Sequence, residues 1–188
     1  YVRNLVPLAR FGIIAYRDYS DHEFVTSVSQ PSFDILKATN FMAGIDAVGG
    51  GDIPEAVVEA LRVAENKIAW RAGAQRVVIV IGDAPPHRRE ASEGATIAER
   101  MKTRGARISL LDSRVEANRA FLGRVTPTGS RADLNQQGAM PSFRRLAKLG
   151  GGTAATLADE RQLMKTLALL IFDDRFHDEL APFLANLE

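Results

Sequence analysis

The sequence predicts an α/β fold, arranged as a three-layer, doubly wound and mostly parallel sheet with one antiparallel edge strand. Segments with strand character alternate with segments of helical periodicity along most of the 188 residues. This alternation is typical of βαβ crossovers, which place helices on both faces of a parallel sheet. Val77 to Ile81 is a run of five apolar β-formers, as expected of a parallel strand that is buried on both faces.

Five segments are predicted as strands because apolar, β-branched or aromatic residues cluster there between turn residues. The polar turn 17–21 joins the first two, so we expect a hairpin whose alternating second segment is the edge strand. The predicted strands cover 11–16, 24–28, 77–81, 107–111 and 153–157.

The best-specified helix follows the glycine turn 49–51. Asp52 is predicted as its N-cap, and Glu55, three residues later, completes a capping box. Its apolar stripe, which should face a sheet, consists of Val57, Leu61, Ala64 and Ile68. The other predicted helices begin at 32 or cover 90–103, 117–122, 142–149 and 160–172.

Composition excludes several classes of protein. The net charge of +1 gives no general attraction to nucleic acid, so no nucleic-acid partner is expected. The absence of cysteine excludes disulfides and thiolate catalysis. No apolar stretch approaches the ~18 residues that a membrane span needs. Composition does not decide the compartment, although a periplasmic or secreted location is favoured over a cytoplasmic one.

The expected organisation is one domain over residues 1–172 and a charged C-terminal tail, helical or extended, over 173–188. The less regular segment 112–141 is the expected place for specific partner contacts, because long ordered loops in compact domains are commonly functional.

Several segments, taken in order, resemble the von Willebrand factor type A (VWA) domain of a bacterial type. The resemblance covers about 10–172 and is carried by 10–18, by the glycine turn and helix start 49–57, by 77–87 with its Asp-Ala-Pro-Pro-His ending, and by 143–152. It implies a Rossmann-like sheet with strand order 3-2-1-4-5-6.

One departure from the family pattern concerns its first strand. VWA domains begin with a central strand that ends in Asp-x-Ser-x-Ser, and that motif does not occur in these 188 residues. The resemblance places this strand between 11–16 and 77–81. We therefore expect either an additional N-terminal segment in the native protein or donation of the strand by another chain.

The resemblance also implies a metal-ion-dependent adhesion site that holds Mg²⁺, or Mn²⁺ or Ca²⁺, through oxygen ligands. An acidic side chain of a protein partner would complete the coordination shell. Asp83 matches the aspartate of the third motif. The threonine of the second motif aligns with Gly51, which has no side chain, and the neighbouring Asp52 is the predicted substitute ligand. Because the chain lacks the first strand and its motif, the predicted site can also be without a cation.

Other interpretations of these residues stay open. Asp52 is equally explained by helix capping, and Asp83 by anchoring of the turn before Pro85. The residues predicted for the rim or second coordination shell are Gly51, Asp18, His87 and Asp112. The alternative interpretation of Asp18 is a solvated hairpin residue. That of His87 is a surface or turn residue, and that of Asp112 is a plain cap.

The first functional hypothesis is therefore a metal-dependent protein-binding module of a larger bacterial protein, with no catalytic residues. The second is a structural interaction domain with a degenerate metal site. The third is a fragment of a Mg²⁺-dependent hydrolase or phosphoryl-transfer enzyme, which is disfavoured because no P-loop, nucleophile elbow or catalytic lysine is recognisable.

Overall fold

A computed structural model describes residues 6–46, 54–114, 139–157 and 163–172. It confirms the α/β class, with a three-stranded parallel sheet and an antiparallel hairpin. The contacts divide the chain into two compact units. The first comprises Tyr1–Arg76 and Pro86–Ile97, and the second comprises Val77–Pro85 and Ala98–Glu188.

The first unit contains the predicted hairpin. Strand β1 (Phe11–Tyr16) pairs antiparallel with β2 (Thr26–Ser32), so β2 begins and ends later than the predicted 24–28. A register shift lies near Gly12, where a Cβ atom would stand 3.0 Å from the ring of Pro31. A side chain at this position would therefore need Pro31 to shift by a few tenths of an ångström.

Two helices pack on this hairpin. Helix α1 (Ile35–Ala43) is capped by Asp34, whose side chain accepts a hydrogen bond from the N–H of Leu36 at 3.0 Å. Helix α2 (Val57–Asn66) turns its apolar face inward. Its buried residues are Val57, Val58, Ala60, Leu61, Val63 and Ala64. Three of the four predicted stripe residues are thus confirmed as core.

The predicted capping box of this helix is wrong. The N-cap position belongs to Ala56, which makes no side-chain cap bond. Glu55 does not lie in the helix but forms an isolated parallel bridge with Pro86. The helix therefore begins five residues after the predicted N-cap, and Ile68 lies beyond its last residue. Glu55 pairs with Pro86, and Ala56 bonds to Arg17, in the segment where the first turn of the helix was predicted.

The second unit contains three strands in the order β3-β4-β5: β3 (Arg76–Gly82), β4 (Ala106–Asp112) and β5 (Gly151–Thr156). All three lie close to their predicted positions, and β4 and β5 are parallel. A single 3₁₀ turn (Arg88–Glu90) and helix α3 (Ala91–Thr103) connect β3 to β4. The orders β2-β1 and β3-β4-β5 match the two corresponding parts of the implied strand order.

The core of the second unit surrounds β4, six of whose seven residues are buried. Helix α4 (Pro141–Leu149) packs on β4 and β5, and helix α5 (Leu163–Phe172) packs on β5. An apolar cluster of Leu111, Leu157 and Leu170 joins strand and helix residues. Ile79 of β3 packs against the same cluster.

Strand β3 is less buried than its composition predicts. Only Val80 is fully buried, and Ile81 is 48% exposed. Within the described residues β3 has one sheet neighbour, whereas β4 has two.

The predicted short helix 117–122, most of the segment 112–141 and the tail 173–188 fall outside the described residues. In the described part of the chain, none of the helices combines the length and apolar character that crossing a membrane requires.

Candidate functional site

The loop that follows β1 places a carboxylate in the interior of the first unit. Asp18 is 3% exposed, and its Oδ1 lies 2.5 Å from Nε2 of His87. The hydroxyl of Ser20 donates to Oδ2 at 3.1 Å. The backbone N–H of Asp18 donates to the carboxylate of Asp21, and the N–H of Asp21 donates back to the carbonyl of Asp18. This local turn directs the Asp18 side chain inward.

The environment of Asp18 favours its ionised form. Burial opposes ionisation, but hydrogen bonds from His87, the Tyr19 backbone and Ser20 outweigh it and lower the pKa of Asp18 to about 2. Asp18 is therefore a buried anion at neutral pH, and its hydrogen-bond donors are what allow that charge to be buried.

Tyr19 makes a second connection to the segment that contains His87. Its hydroxyl donates to Oε1 of Glu90 at 2.5 Å, and its ring lies 5.4 Å from that of His87. The guanidinium of Arg89 lies 5.4 Å from the same tyrosine ring. Burial and the hydrogen bond to Glu90 raise the pKa of Tyr19 to about 12, so the hydroxyl keeps its proton and acts as a donor.

A third segment joins these two immediately before α2. The N–H of Ala56 donates to the carbonyl of Arg17 at 3.3 Å, and Glu55 bridges to Pro86. The first unit therefore brings together the loop after β1, the residues 54–56 that follow the glycine turn, and the segment 86–90. Each was part of the predicted site region, although they lie far apart along the chain.

The second unit places two carboxylates at the ends of adjacent strands. Asp112, the last residue of β4, is fully buried. It accepts hydrogen bonds from the backbone N–H groups of Arg114 (3.1 Å) and Met140 (2.8 Å), and its side chain pairs with the Arg114 guanidinium at 2.7 Å. Asp83 directly follows β3 and is exposed, and no described residue forms a hydrogen bond or ion pair with its side chain.

The predicted site residues thus fall into separate groups. Asp18 and His87 are in contact. The solvated-hairpin interpretation of Asp18 is wrong, because its side chain is 5% exposed, and His87, with a side chain 11% exposed, is a loop residue but not a surface one. Asp112 is occupied by donors of its own unit, whereas Asp83 has no partner among the residues that the structure describes. Two predicted residues, Gly51 and Asp52, lie outside the described part of the chain.

Sequence reasoning missed Tyr19, Glu90 and Arg114 as partners at these positions. Arg114 lies two residues after Asp112, so an Asp-x-Arg sequence at a strand end was a usable signal. The Tyr19–Glu90 bond spans 71 residues. No local sequence pattern encodes such a contact.

The described residues do not by themselves form a metal centre. No three of their histidine, aspartate or glutamate side chains are placed so that they could share an ion. Asp18 and Asp112 already have strong donors, which a cation would need to displace.

No family model matches the sequence, and comparison with curated proteins gives no significant relative. Two solved structures are similar in fold. The VWA domain of SpRpn10 aligns with a TM-score of 0.55 and 12% identity over 82% of this chain and 67% of that one. The conserved hypothetical protein BatB from Bacteroides thetaiotaomicron aligns with a TM-score of 0.57 and 18% identity over 86% of this chain and 77% of that one. These likenesses show that the chain has a VWA-like fold.

Proposed function

We propose that this chain is a protein-interaction module that binds its partner at the carboxyl end of β3, with Asp83 as the central recognition residue. The observation that carries the proposal is the exposed Asp83 carboxylate, which has no protein partner among the described residues. Ligands of open α/β sheets bind at the carboxyl ends of the strands. A free carboxylate in that position is available either to a cation or directly to a partner.

The cation-dependent form of this proposal makes Asp83 a ligand of Mg²⁺, Mn²⁺ or Ca²⁺ and gives the open coordination position to an acidic partner side chain. Asp52 stays a predicted second ligand. The cation-independent form is an interaction domain with a degenerate metal site. It is supported by Gly51, which has no side chain to offer at the position that aligns with the threonine of the second motif.

The proposal assigns binding and no chemical step. Ser20, His87 and Asp18 are residue types found in hydrolytic triads, but their order is unsuitable. In a triad the histidine lies between serine and aspartate and takes the serine proton. Here the hydroxyl of Ser20 donates to Asp18, and His87 Nε2 binds the same carboxylate. Ser20 is consequently not activated by His87.

A peptide array distinguishes the two forms of the proposal. Each peptide carries a single Asp or Glu and is paired with its Asn or Gln counterpart, and binding is measured in Mg²⁺ and in EDTA. Binding that needs the acidic peptide, Mg²⁺ and Asp83 supports the cation-dependent form. Binding that survives EDTA but is lost in Asp83→Asn supports the cation-independent form.

Glu99→Gln is the matched control, because Glu99 is an exposed carboxylate of the same unit on α3. If Asp83→Asn and Glu99→Gln bind every peptide as the unmodified protein does, Asp83 is not the recognition residue and the proposal fails.

A further inference from the structure

We propose that the exposed apolar side chains around helix α1 form a docking site for an acidic amphipathic helix of a protein partner. Among the described residues, this group includes all but one of the large apolar side chains that are exposed. It lies in the first unit and is independent of the role proposed for Asp83. The apolar patch, as we call the group, consists of Val6, Leu8, Phe33, Ile35, Leu36 and Met42.

The two stretches that form the apolar patch leave the same end of the hairpin. Phe11 pairs with Ser32, so the residues before Phe11 adjoin the residues after Ser32. The guanidinium of Arg10 lies 4.6 Å from the ring centroid of Phe33 and connects the two stretches directly. Exposed apolar residues that stand singly are normal on a protein surface, whereas a group of them at one place marks an interaction surface.

Helix α1 exposes most of its apolar side chains. Of its nine residues only Ala38 is buried, and Leu36 is 63% exposed. Ile35, Thr39 and Met42 follow an i, i+4, i+7 spacing, which places them on one side of the helix. The hydroxyl of Thr39 donates to the backbone carbonyls of Ile35 (3.3 Å) and Leu36 (3.2 Å), so its polar group is satisfied within α1. This exposed side therefore suits packing against the apolar stripe of a second helix.

The charges at the apolar patch are mostly positive. The segments 6–10 and 33–43 contain two cations, Arg10 and Lys37, and a single carboxylate, Asp34. Asp34 is already used as the N-cap of α1. Neither cationic group forms an ion pair with a residue that the structure describes. A carboxylate beside the apolar stripe of the partner is therefore the group that complements this rim.

Two other occupants fit the apolar patch less well. A second copy would add both of its cations and a carboxylate that caps its own helix, so positive charge would stay in excess. A nine-residue helix is about 13 Å long and offers less than the ~800 Å² that each partner commonly buries in a stable complex. An anionic membrane surface is recognised by about four or more clustered lysines or arginines, and this patch has two.

A pair of designed peptides tests the inference. Both form an amphipathic helix with the same leucine stripe, but one carries Glu and the other carries Lys beside that stripe. Fluorescence anisotropy measures the binding of each labelled peptide to the full chain and to the variants Leu36→Gln and Lys37→Glu. The matched controls are Ile81→Gln, at the remaining exposed large apolar residue, and Arg71→Glu, at another exposed cation of the first unit.

We expect the acidic peptide to bind about tenfold more tightly than the basic one, and Leu36→Gln to weaken its binding by a similar factor. Lys37→Glu should weaken binding of the acidic peptide and strengthen binding of the basic one, because it reverses the charge of the rim. Both controls should bind the acidic peptide as the unmodified protein does.

Equal affinity for the two peptides, no binding of either, or equal losses in the variants and their controls would overturn the inference. Unchanged binding in Leu36→Gln would overturn it as well. A dimer in sedimentation that Leu36→Gln abolishes would assign the apolar patch to a second copy, and binding to anionic vesicles that the same variant abolishes would assign it to lipid. Either result replaces the acidic helix as the occupant.

Discussion

Asp83 and Asp112 occupy equivalent places at the ends of adjacent strands, yet their surroundings are opposite. Asp112 is fully buried and accepts hydrogen bonds from two backbone N–H groups and an arginine side chain. Asp83 is exposed and has no described partner. The end of a parallel strand is therefore not sufficient to define a ligand-binding carboxylate. Its availability depends on the donors that the following residues supply.

The residues that follow each strand explain this difference. Two residues after Asp112 stands Arg114, which offers both its N–H and its guanidinium. Two residues after Asp83 stands Pro85, and Pro86 follows it. Proline has no N–H to donate, so this turn cannot satisfy its own carboxylate in the way that the turn after β4 does.

The largest expected effect that tests this comparison is at Asp112. Asp112→Ala should lower the free energy of unfolding by about 3 kcal/mol, because it leaves the Arg114 charge and the Met140 N–H without their acceptor. The Arg114 side chain is 27% exposed, so water can replace part of the loss. Urea denaturation followed by circular dichroism measures the change.

Asp83→Ala is the paired control for this measurement. If both alanine variants lose similar stability, the two carboxylates are alike and the contrast between the strand ends is wrong.

The sequence predicted the elements of the fold better than the roles of these carboxylates. The apolar run 77–81 and the pattern 107–111 located β3 and β4 because strand periodicity is local. The helix start at Asp52 was wrong because Glu55 pairs with Pro86, 31 positions away, and this pairing overrides a local capping signal. The contact between Asp18 and His87 was not predicted for the same reason, since the two residues lie 69 positions apart. Contacts at such separations depend on topology and not on spacing.

Acid titration extends the comparison to Asp18, a carboxylate that follows β1 and is buried beside a histidine. Its pKa is lowered to about 2 from an ordinary value of 3.8. A lowered pKa stabilises the folded state above pH 3.8, and this contribution is lost as the pH falls from about 4 to about 2. We expect the melting temperature to fall over this window more steeply in the unmodified protein than in Asp18→Asn.

Other carboxylates titrate in the same range, so the difference between the two curves, measured by calorimetry, isolates Asp18. Parallel curves for the two proteins would mean that Asp18 gains no stabilisation from its donors, and it would then belong with Asp83 and not with Asp112.

A smaller effect is expected at Tyr19, whose hydroxyl donates to Glu90. Tyr19→Phe should lower the free energy of unfolding by about 1 kcal/mol, the usual contribution of one hydrogen bond, and somewhat more because the acceptor is charged. Chemical denaturation measures this change. An unchanged free energy of unfolding would show that water replaces the tyrosine hydroxyl as the donor to Glu90. Glu90 would then resemble the exposed Asp83.

The smallest effect on stability is expected at Asp83 itself. Asp83→Asn should change the free energy of unfolding by no more than about 0.5 kcal/mol in metal-free buffer, because an exposed side chain without partners contributes little to folding. A loss of about 2 kcal/mol or more would show that the carboxylate anchors its own turn, as Asp112 does.

Added Mg²⁺ sharpens the test, since an ion that binds only the folded state must raise the melting temperature. A rise in the unmodified protein that is absent in Asp83→Asn assigns the free carboxylate to a cation. Equal behaviour of the two proteins leaves Asp83 to direct contact with a partner.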